Sequence, residues 1–136
     1  MLRYTEEKTF TQEQVQQLFF SVGWVSGQYP QRLYKALMHS STVLTVWDGD
    51  KLVGLIRVLD DSEMLAQIHY VLVHPDYQAQ GIAGEMLERI KEKYKNYLYI
   101  EGMPEDEKNV PFYEKHGFQR MEHGAAIQIC NYSDKR

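Results

Sequence analysis

One stretch constrains the fold of this chain more than any other. Val71-Leu72-Val73-His74-Pro75-Asp76-Tyr77 runs directly into Gln78-Ala79-Gln80-Gly81-Ile82-Ala83-Gly84. The apolar run up to Val73 has the character of a strand, and Pro75 closes it. From Gln80 to Tyr94 the apolar residues recur at helical spacing. Ile82, Ala83, Met86, Leu87, Ile90 and Tyr94 form one stripe, with Glu85, Glu88, Arg89 and Lys91 opposite. Tyr97 to Glu101 is short and apolar enough for a buried strand. The three pieces make a strand–helix–strand unit, which needs a right-handed crossover if the two strands are parallel.

The turn at its centre has chemical potential of its own. The first turn of a helix presents N–H groups without intrahelical partners, and the macrodipole adds partial positive charge. Small residues at Gly81, Ala83 and Gly84 let a phosphate approach the backbone. The plainer alternative is that they only let helix and sheet pack closely, and the turn by itself leaves both open. No Lys-Ser/Thr follows the glycines, so this is not a P-loop. Gly-x-Gly-x-x-Gly is absent, so it is not a dinucleotide fingerprint.

A backbone cradle matters because the chain as a whole is acidic. Its 136 residues carry 15 Lys+Arg against 19 Asp+Glu, a net charge of −4. This is no electrostatic footprint for nucleic acid. Hydrophobic residues at 43% and charged residues at 25% are the balance of a globular protein, and the length suits one domain, 1–136. No apolar run approaches a membrane span, and the first residues lack the apolar stretch of a signal peptide, so a cytoplasmic location is expected. The single cysteine, Cys130, lies in the alternating run Ala126 to Cys130 and is expected to be a buried, inert thiol.

The remaining elements follow from local signals. Leu2 to Thr5 suits a short strand. Thr11 and Gln14 form a capping box for a helix carrying Val15, Leu18, Phe19 and Val22, with Gly23 at its end. Pro30 opens a second helix with Leu33, Ala36 and Leu37 on its apolar face. Val43 to Trp47, Lys51 to Leu59 and Leu65 to Val73 form a meander turned at Gly49 and at residues 60–63. Asn109 is placed to cap a short helix through His116, and Gly117 suits its stop. Phe118 to Met121 and Ala125 to Asn131 are expected as a last hairpin. The class is α+β: two helices, a meander, a βαβ unit and a terminal hairpin.

Two motifs in this order resemble a known family. Gln78-x-x-Gly81-x-Ala83, after Val71-Leu72-Val73, is similar to the Arg/Gln-x-x-Gly-x-Gly/Ala motif of the GNAT superfamily of acetyl-CoA-dependent N-acetyltransferases. Phe112-Tyr113-Glu114-Lys115-His116-Gly117-Phe118 is similar to its Phe-Tyr-Glu-Lys-x-Gly-Phe signature. The resemblance implies a mixed, splayed sheet of about six to seven strands flanked by about four helices, whose fourth and fifth strands part around pantetheine. It implies acetyl-CoA as co-substrate. The backbone of Val71, Leu72 and Val73 would pair with pantetheine amides, while Gln78, Ala79, Gln80, Gly81, Ile82, Ala83 and Gly84 would hold the pyrophosphate. Asp106 stands where the family often has a CoA-contacting Asn.

The implied reaction is acetyl transfer to a primary amine of a small molecule. Protein or peptide acetylation and a catalytically weak acyl-CoA-binding module are the alternatives. Tyr113 matches the family's general acid. Glu101 and His69 fall where different relatives carry a base, and many relatives have an acidic residue where this chain has Tyr70. Trp24, Tyr29 and Tyr34, in and beside the loop between the first two helices, are candidates to bound the acceptor or to be core. No metal site is expected, and His39 and His123 have no ligand spacing. His116 is expected to support the end of its own helix. A homodimer is a further expectation of the resemblance.

Overall fold

A computed structural model of the chain describes residues 1–132. Its elements in order are β1 (Leu2–Thr5), α1 (Gln12–Ser21), α2 (Pro30–Met38), β2 (Thr42–Asp48), β3 (Lys51–Asp60), β4 (Leu65–Val73), α3 (Ile82–Lys93), β5 (Tyr99–Gly102) and α4 (Val110–Lys115). The strands form one mixed sheet in sequence order, β1-β2-β3-β4-β5. The first four run antiparallel to their neighbours, and β5 lies parallel to β4.

The sheet is covered on both faces, which explains its near-continuous apolar runs. Along β2, Val43 and Trp47 pack with α1 and α2, through Leu18, Phe19, Leu33 and Leu37. Leu44 and Val46 point the other way, into a cluster with Ile82, Met86, Leu87 and Ile90 of α3. Local chemistry fixes the helix starts. The Thr11 hydroxyl accepts from the Gln14 amide at 3.1 Å, and the Gln14 side chain accepts from the Thr11 amide at 2.8 Å. Such a cap contributes about 1 kcal/mol. The far end of α3 is pinned by Tyr94, whose buried hydroxyl bonds Thr42 Oγ1 at 2.6 Å and donates to Asp60 at 2.7 Å. Burial pushes that phenol's pKa well up, so it stays a donor.

Gly54 seats the other end of α3. A Cβ there would lie 3.2 Å from a Val46 methyl and 3.3 Å from a methyl of Ile82, the first residue of the helix. An isolated glycine inside a strand marks such a close approach.

The end of the chain departs from the hairpin expected over Phe118–Met121 and Ala125–Asn131. The described residues hold five strands, not six or seven. Residues 119–132 contain neither helix nor strand, and every one is exposed. Ile127 is 95% and Ile129 86% exposed, and Cys130 is exposed rather than buried. An alternating pattern specifies which side chains share a face, not what covers that face. β5, not a sixth strand, is therefore the sheet's last strand here. Two smaller differences concern caps. α3 starts at Ile82 rather than Gln80. Asn109 makes no side-chain cap, and a 3-10 turn over Glu107–Asn109 precedes α4, opened by the Asp106 carboxylate accepting from the Lys108 amide at 3.0 Å.

Candidate active site

The site is set by a defect in β4. Its register with β3 runs Arg57↔Tyr70 and then Val58↔Ile68, so His69 is an extra residue, a β-bulge. On the other side, the pairing of β4 with β5 stops at Ile68↔Gly102. Bulge and parting therefore coincide. From His69 to Val73, β4 has no strand partner on its β5 side among the described residues, and Val71, Leu72 and Val73 lie on that opened edge.

Beyond Val73 the chain enters the turn. The His74 Nδ1 accepts from the Asp76 amide at 3.1 Å, closing a 3-10 turn over Pro75–Tyr77. The Gln78 side-chain amide then donates to the Val73 carbonyl at 3.0 Å, tying the loop to the strand end. Ala79 and Gly81 have φ of 63° and 80°, in the left-handed region. At the N-cap Gly81, a Cβ would meet nothing within 4 Å. Space and open amides therefore stand at the start of α3, where an anion fits. Gly84 differs: a Cβ there would come within 3.2 Å of the His116 imidazole. Its smallness seats α4 on α3, whereas Gly81 of the same turn has open space around it.

α4 is held by the same contact. His116 Nδ1 bonds the Glu88 carboxylate of α3 at 2.6 Å, so it reaches across to another helix rather than only supporting its own. That hydrogen bond, with Lys91 behind it, holds the Glu88 carboxyl below its ordinary range. Tyr113 sits on α4, half-buried between Phe112 and Phe118, with ring centroids at 5.2 and 5.7 Å. Burial raises its pKa, so the phenol keeps its proton through neutral pH.

The gap separates two faces. Ile100 and Tyr113 pack against the cluster under α3. Glu101, next to Ile100 on β5, points to the opposite face by strand alternation. Tyr70 is on that opposite face, packed against the α1–α2 cluster. Around it, Phe19 meets the Tyr70 ring edge-on at 4.9 Å and Trp24 lies 5.9 Å away. Ser26 Oγ bonds the Tyr70 hydroxyl at 2.6 Å, and the Arg57 guanidinium lies over the ring at 5.6 Å. Tyr70, Ser26 and Arg57 were not legible as a group. The register that opposes Arg57 to Tyr70 and the loop that brings Ser26 across are tertiary facts.

Of the three aromatic candidates, Trp24 joins this group directly. Tyr34 packs edge-on against Phe10 at 6.1 Å, and Tyr29, at the start of α2, stacks on Tyr132 at 6.4 Å. The two candidate bases also differ. Arg57 donates to His69 Nδ1 at 2.7 Å, and burial and that cation lower the imidazole's pKa. His69 is thus held neutral with its accepting nitrogen occupied. Glu101 stands on β5 opposite Gln67, half-buried beside the gap.

A cleft lined by Tyr4, Glu6, Arg89 and Lys93 lies between β1 and α3, away from this gap. Its cations are paired, Arg89 with Glu85 and Lys93 with Glu6. Among the described residues no group of three or more His, Cys, Asp or Glu side chains could hold a metal ion, and no helix is long and apolar enough to cross a membrane.

Residues 8–118 match the model of the acetyltransferase (GNAT) family. An uncharacterised N-acetyltransferase of Prochlorococcus marinus, described as ycf52-like, is 31% identical over 97 residues, which cover 68% of this chain and 53% of the relative. The chain thus spans about half the length of that relative. Among solved structures, a GNAT-family acetyltransferase of Streptococcus pneumoniae superposes with a TM-score of 0.82 at 29% identity, covering 97% of this chain and 100% of that one. A probable acetyltransferase of unknown function from meticillin-resistant Staphylococcus aureus gives 0.84 at 26% identity, with the same coverage.

Proposed function

The chain belongs to the acetyltransferase (GNAT) family, and we propose that it moves an acetyl group from acetyl-CoA to a primary amine of a small molecule by direct attack. The observation that carries this reading is the coincidence of the His69 bulge with the end of β4–β5 pairing, followed by the open start of α3. The exposed edge at Val71, Leu72 and Val73 suits an extended amide-bearing chain. The left-handed turn at Ala79 and Gly81 and the first amides of α3 suit a pyrophosphate. Acetyl-CoA supplies the thioester carbonyl that the amine attacks.

The residues divide the proton work by face. Tyr113, on the α3–α4 face, keeps a proton at its hydroxyl for the leaving sulfur. The acceptor enters from the α1–α2 face, bounded by Trp24 and Tyr70. An alkylammonium has a pKa of about 10 and must lose a proton before attack. Glu101 faces that side and is assigned this step, directly or through water. His69, neutral and engaged by Arg57, is assigned a positioning role instead.

Two measurements test the reading. Acetyl-CoA should raise the melting temperature, because a ligand at about 100 times its Kd stabilises the folded state by about 2.7 kcal/mol. Thiol release should then be followed over polyamines, amino acids, arylalkylamines and peptides. No thermal shift at millimolar acetyl-CoA would remove the donor assignment. Release with peptides alone would move the acceptor to proteins.

A further inference from the structure

We infer that Arg57 anchors a carboxylate of the acceptor, so that the amine taken by this site is that of an amino acid. The inference rests on the acetyl-transfer reading for the fate of the amine, while the contact at Arg57 stands on the structure. Arg57 lies on β3 opposite Tyr70, at the level where β4 bulges, half-buried on the α1–α2 face. Both of its hydrogen bonds go to neutral atoms. Its Nε donates to Ser40 Oγ at 2.9 Å, and its Nη1 donates to His69 Nδ1 at 2.7 Å. Ser40 is buried and gives its own proton to the Ala36 carbonyl at 2.6 Å, so toward Arg57 it only accepts. Among the described residues no Asp or Glu pairs with this guanidinium, whereas Arg89 and Arg120 each hold one. The acids that follow it in sequence are engaged elsewhere. Asp60 takes the Tyr94 hydroxyl and the Ser62 amide, and Asp61 takes the amides of Glu63, Met64 and Leu65. Burial pulls the guanidinium's pKa down with no carboxylate to restore it, yet arginine stays charged at physiological pH.

A half-buried cation without a counter-ion carries a desolvation cost that an incoming anion offsets. The chemistry of the corner selects the anion. Arginine has no acceptor atom, so the bond to His69 Nδ1 fixes the imidazole as its Nε2–H tautomer. Arg57 and His69 therefore present only donors to a ligand, and His69 is exposed, so the corner is open. Arg57 Nη2 makes no hydrogen bond among the described residues, and a planar guanidinium edge matches the two oxygens of a carboxylate. Position agrees with this chemistry. The guanidinium reaches His69 on β4, the strand whose other edge opens onto the gap. Carboxylate and reacting amine are then roughly 5 Å apart, one strand spacing, a reach that fits a free amino acid. Glu101, across the gap on β5, meets the ammonium end, so each charge of the ligand faces its opposite. A peptide N-terminus has an amide where the carboxylate stands and would leave Arg57 without an anion.

Ligand-observed NMR on the full chain loaded with CoA tests the contact without turnover. The common amino acids should be compared with their carboxamides and with phosphoethanolamine. At least one amino acid should bind about 10–100-fold more tightly than its carboxamide, the range of a charge-assisted hydrogen bond. The same ratio should appear in kcat/KM by thiol release, although the carboxamide's amine is the more readily deprotonated of the two. Arg57→Gln should bring the ratio to about one, and Arg57→Lys, which keeps the charge without the fork, should hold an intermediate value. Melting of each variant with acetyl-CoA reports that it is folded, and Arg57→Lys carries the test if Arg57→Gln is not. Equal binding of acid and carboxamide by the unaltered protein overturns the inference. So does a ratio that survives Arg57→Gln, or a preference for phosphoethanolamine over every amino acid. Acid-selective binding through Arg57 without thiol release would support the contact and remove the transfer reading.

Discussion

The two faces of the β4–β5 gap are built from different materials. The α3 side is made of backbone: an opened strand edge, a turn with two left-handed residues and the amides of a helix start. The α1–α2 side is made of side chains: Tyr70 wedged between Phe19 and Trp24, hydrogen-bonded by Ser26 and overlain by Arg57. A backbone site depends little on side-chain identity, because any sequence that makes the turn makes the site. A side-chain site changes with each substitution. On the present reading the first face takes the common donor and the second selects the acceptor.

The largest effect should come from the residue assigned to protonate the leaving sulfur. Tyr113→Phe keeps the ring packing against Phe112 and Phe118 and removes only the proton. Turnover should fall by about 10²–10⁴-fold, with the acetyl-CoA thermal shift preserved. Unchanged turnover would take Tyr113 out of the chemistry and leave it as a packing residue of α4.

Gly81→Val probes the backbone side. With φ at 80° and open space around it, the penalty is conformational rather than steric, about 1–2 kcal/mol. If the turn relaxes to avoid it, acetyl-CoA affinity should drop roughly tenfold, as read by calorimetry, while the KM for the amine stays. A loss of stability with affinity intact would make the turn a packing device alone. Tyr70→Phe is its counterpart on the other face. Losing the bond to Ser26 costs about 0.5–1.5 kcal/mol, so the acceptor KM should rise about two- to tenfold with acetyl-CoA affinity untouched. If both variants move the same constant, the division of labour between the faces is wrong.

The same contrast explains what could be read in advance. The Thr11–Gln14 box, the Gly49 turn, the α3 stripe and the Gly81 turn are signals within a few residues of each other, and each stands where local chemistry puts it. The bulge at His69 was invisible, because the run from Leu65 to Val73 carries no mark of an extra residue until β3 is laid beside it. Ser26 and Tyr70 are 44 positions apart, so their hydrogen bond exists only through the fold. Tyr34 shows the converse. Its place beside the first loop left acceptor contact and core both open, and its ring packs on Phe10. In the segment after α4, the alternation around Ile127 and Ile129 suggested a strand that the structure does not form, and the expectation that Cys130 is buried failed as well. Pattern fixes sidedness, and burial depends on a partner that sequence does not name.

The smallest effect concerns His69, and its sign follows from Arg57. Burial and the guanidinium at 2.7 Å lower the imidazole's pKa in the folded state below the ordinary value of about 6.5. Above about pH 6.5 the ring is neutral in both folded and unfolded chains, and this group makes no demand on stability. As pH falls below that value the unfolded chain takes up a proton that the folded chain resists, so stability declines until the folded pKa is also passed. His69 is exposed, so solvent screens part of the cost. His69→Gln should remove this portion of the acid dependence in melts between pH 7 and pH 5. The same variant separates the two roles considered for His69. A positioning residue leaves the acidic limb of the kcat/KM profile where it was, and a general base shifts it. Glu101→Gln is the control, since on the present assignment that limb belongs to Glu101. Loss of the limb in His69→Gln and its survival in Glu101→Gln would exchange the two assignments while leaving the donor face unaffected.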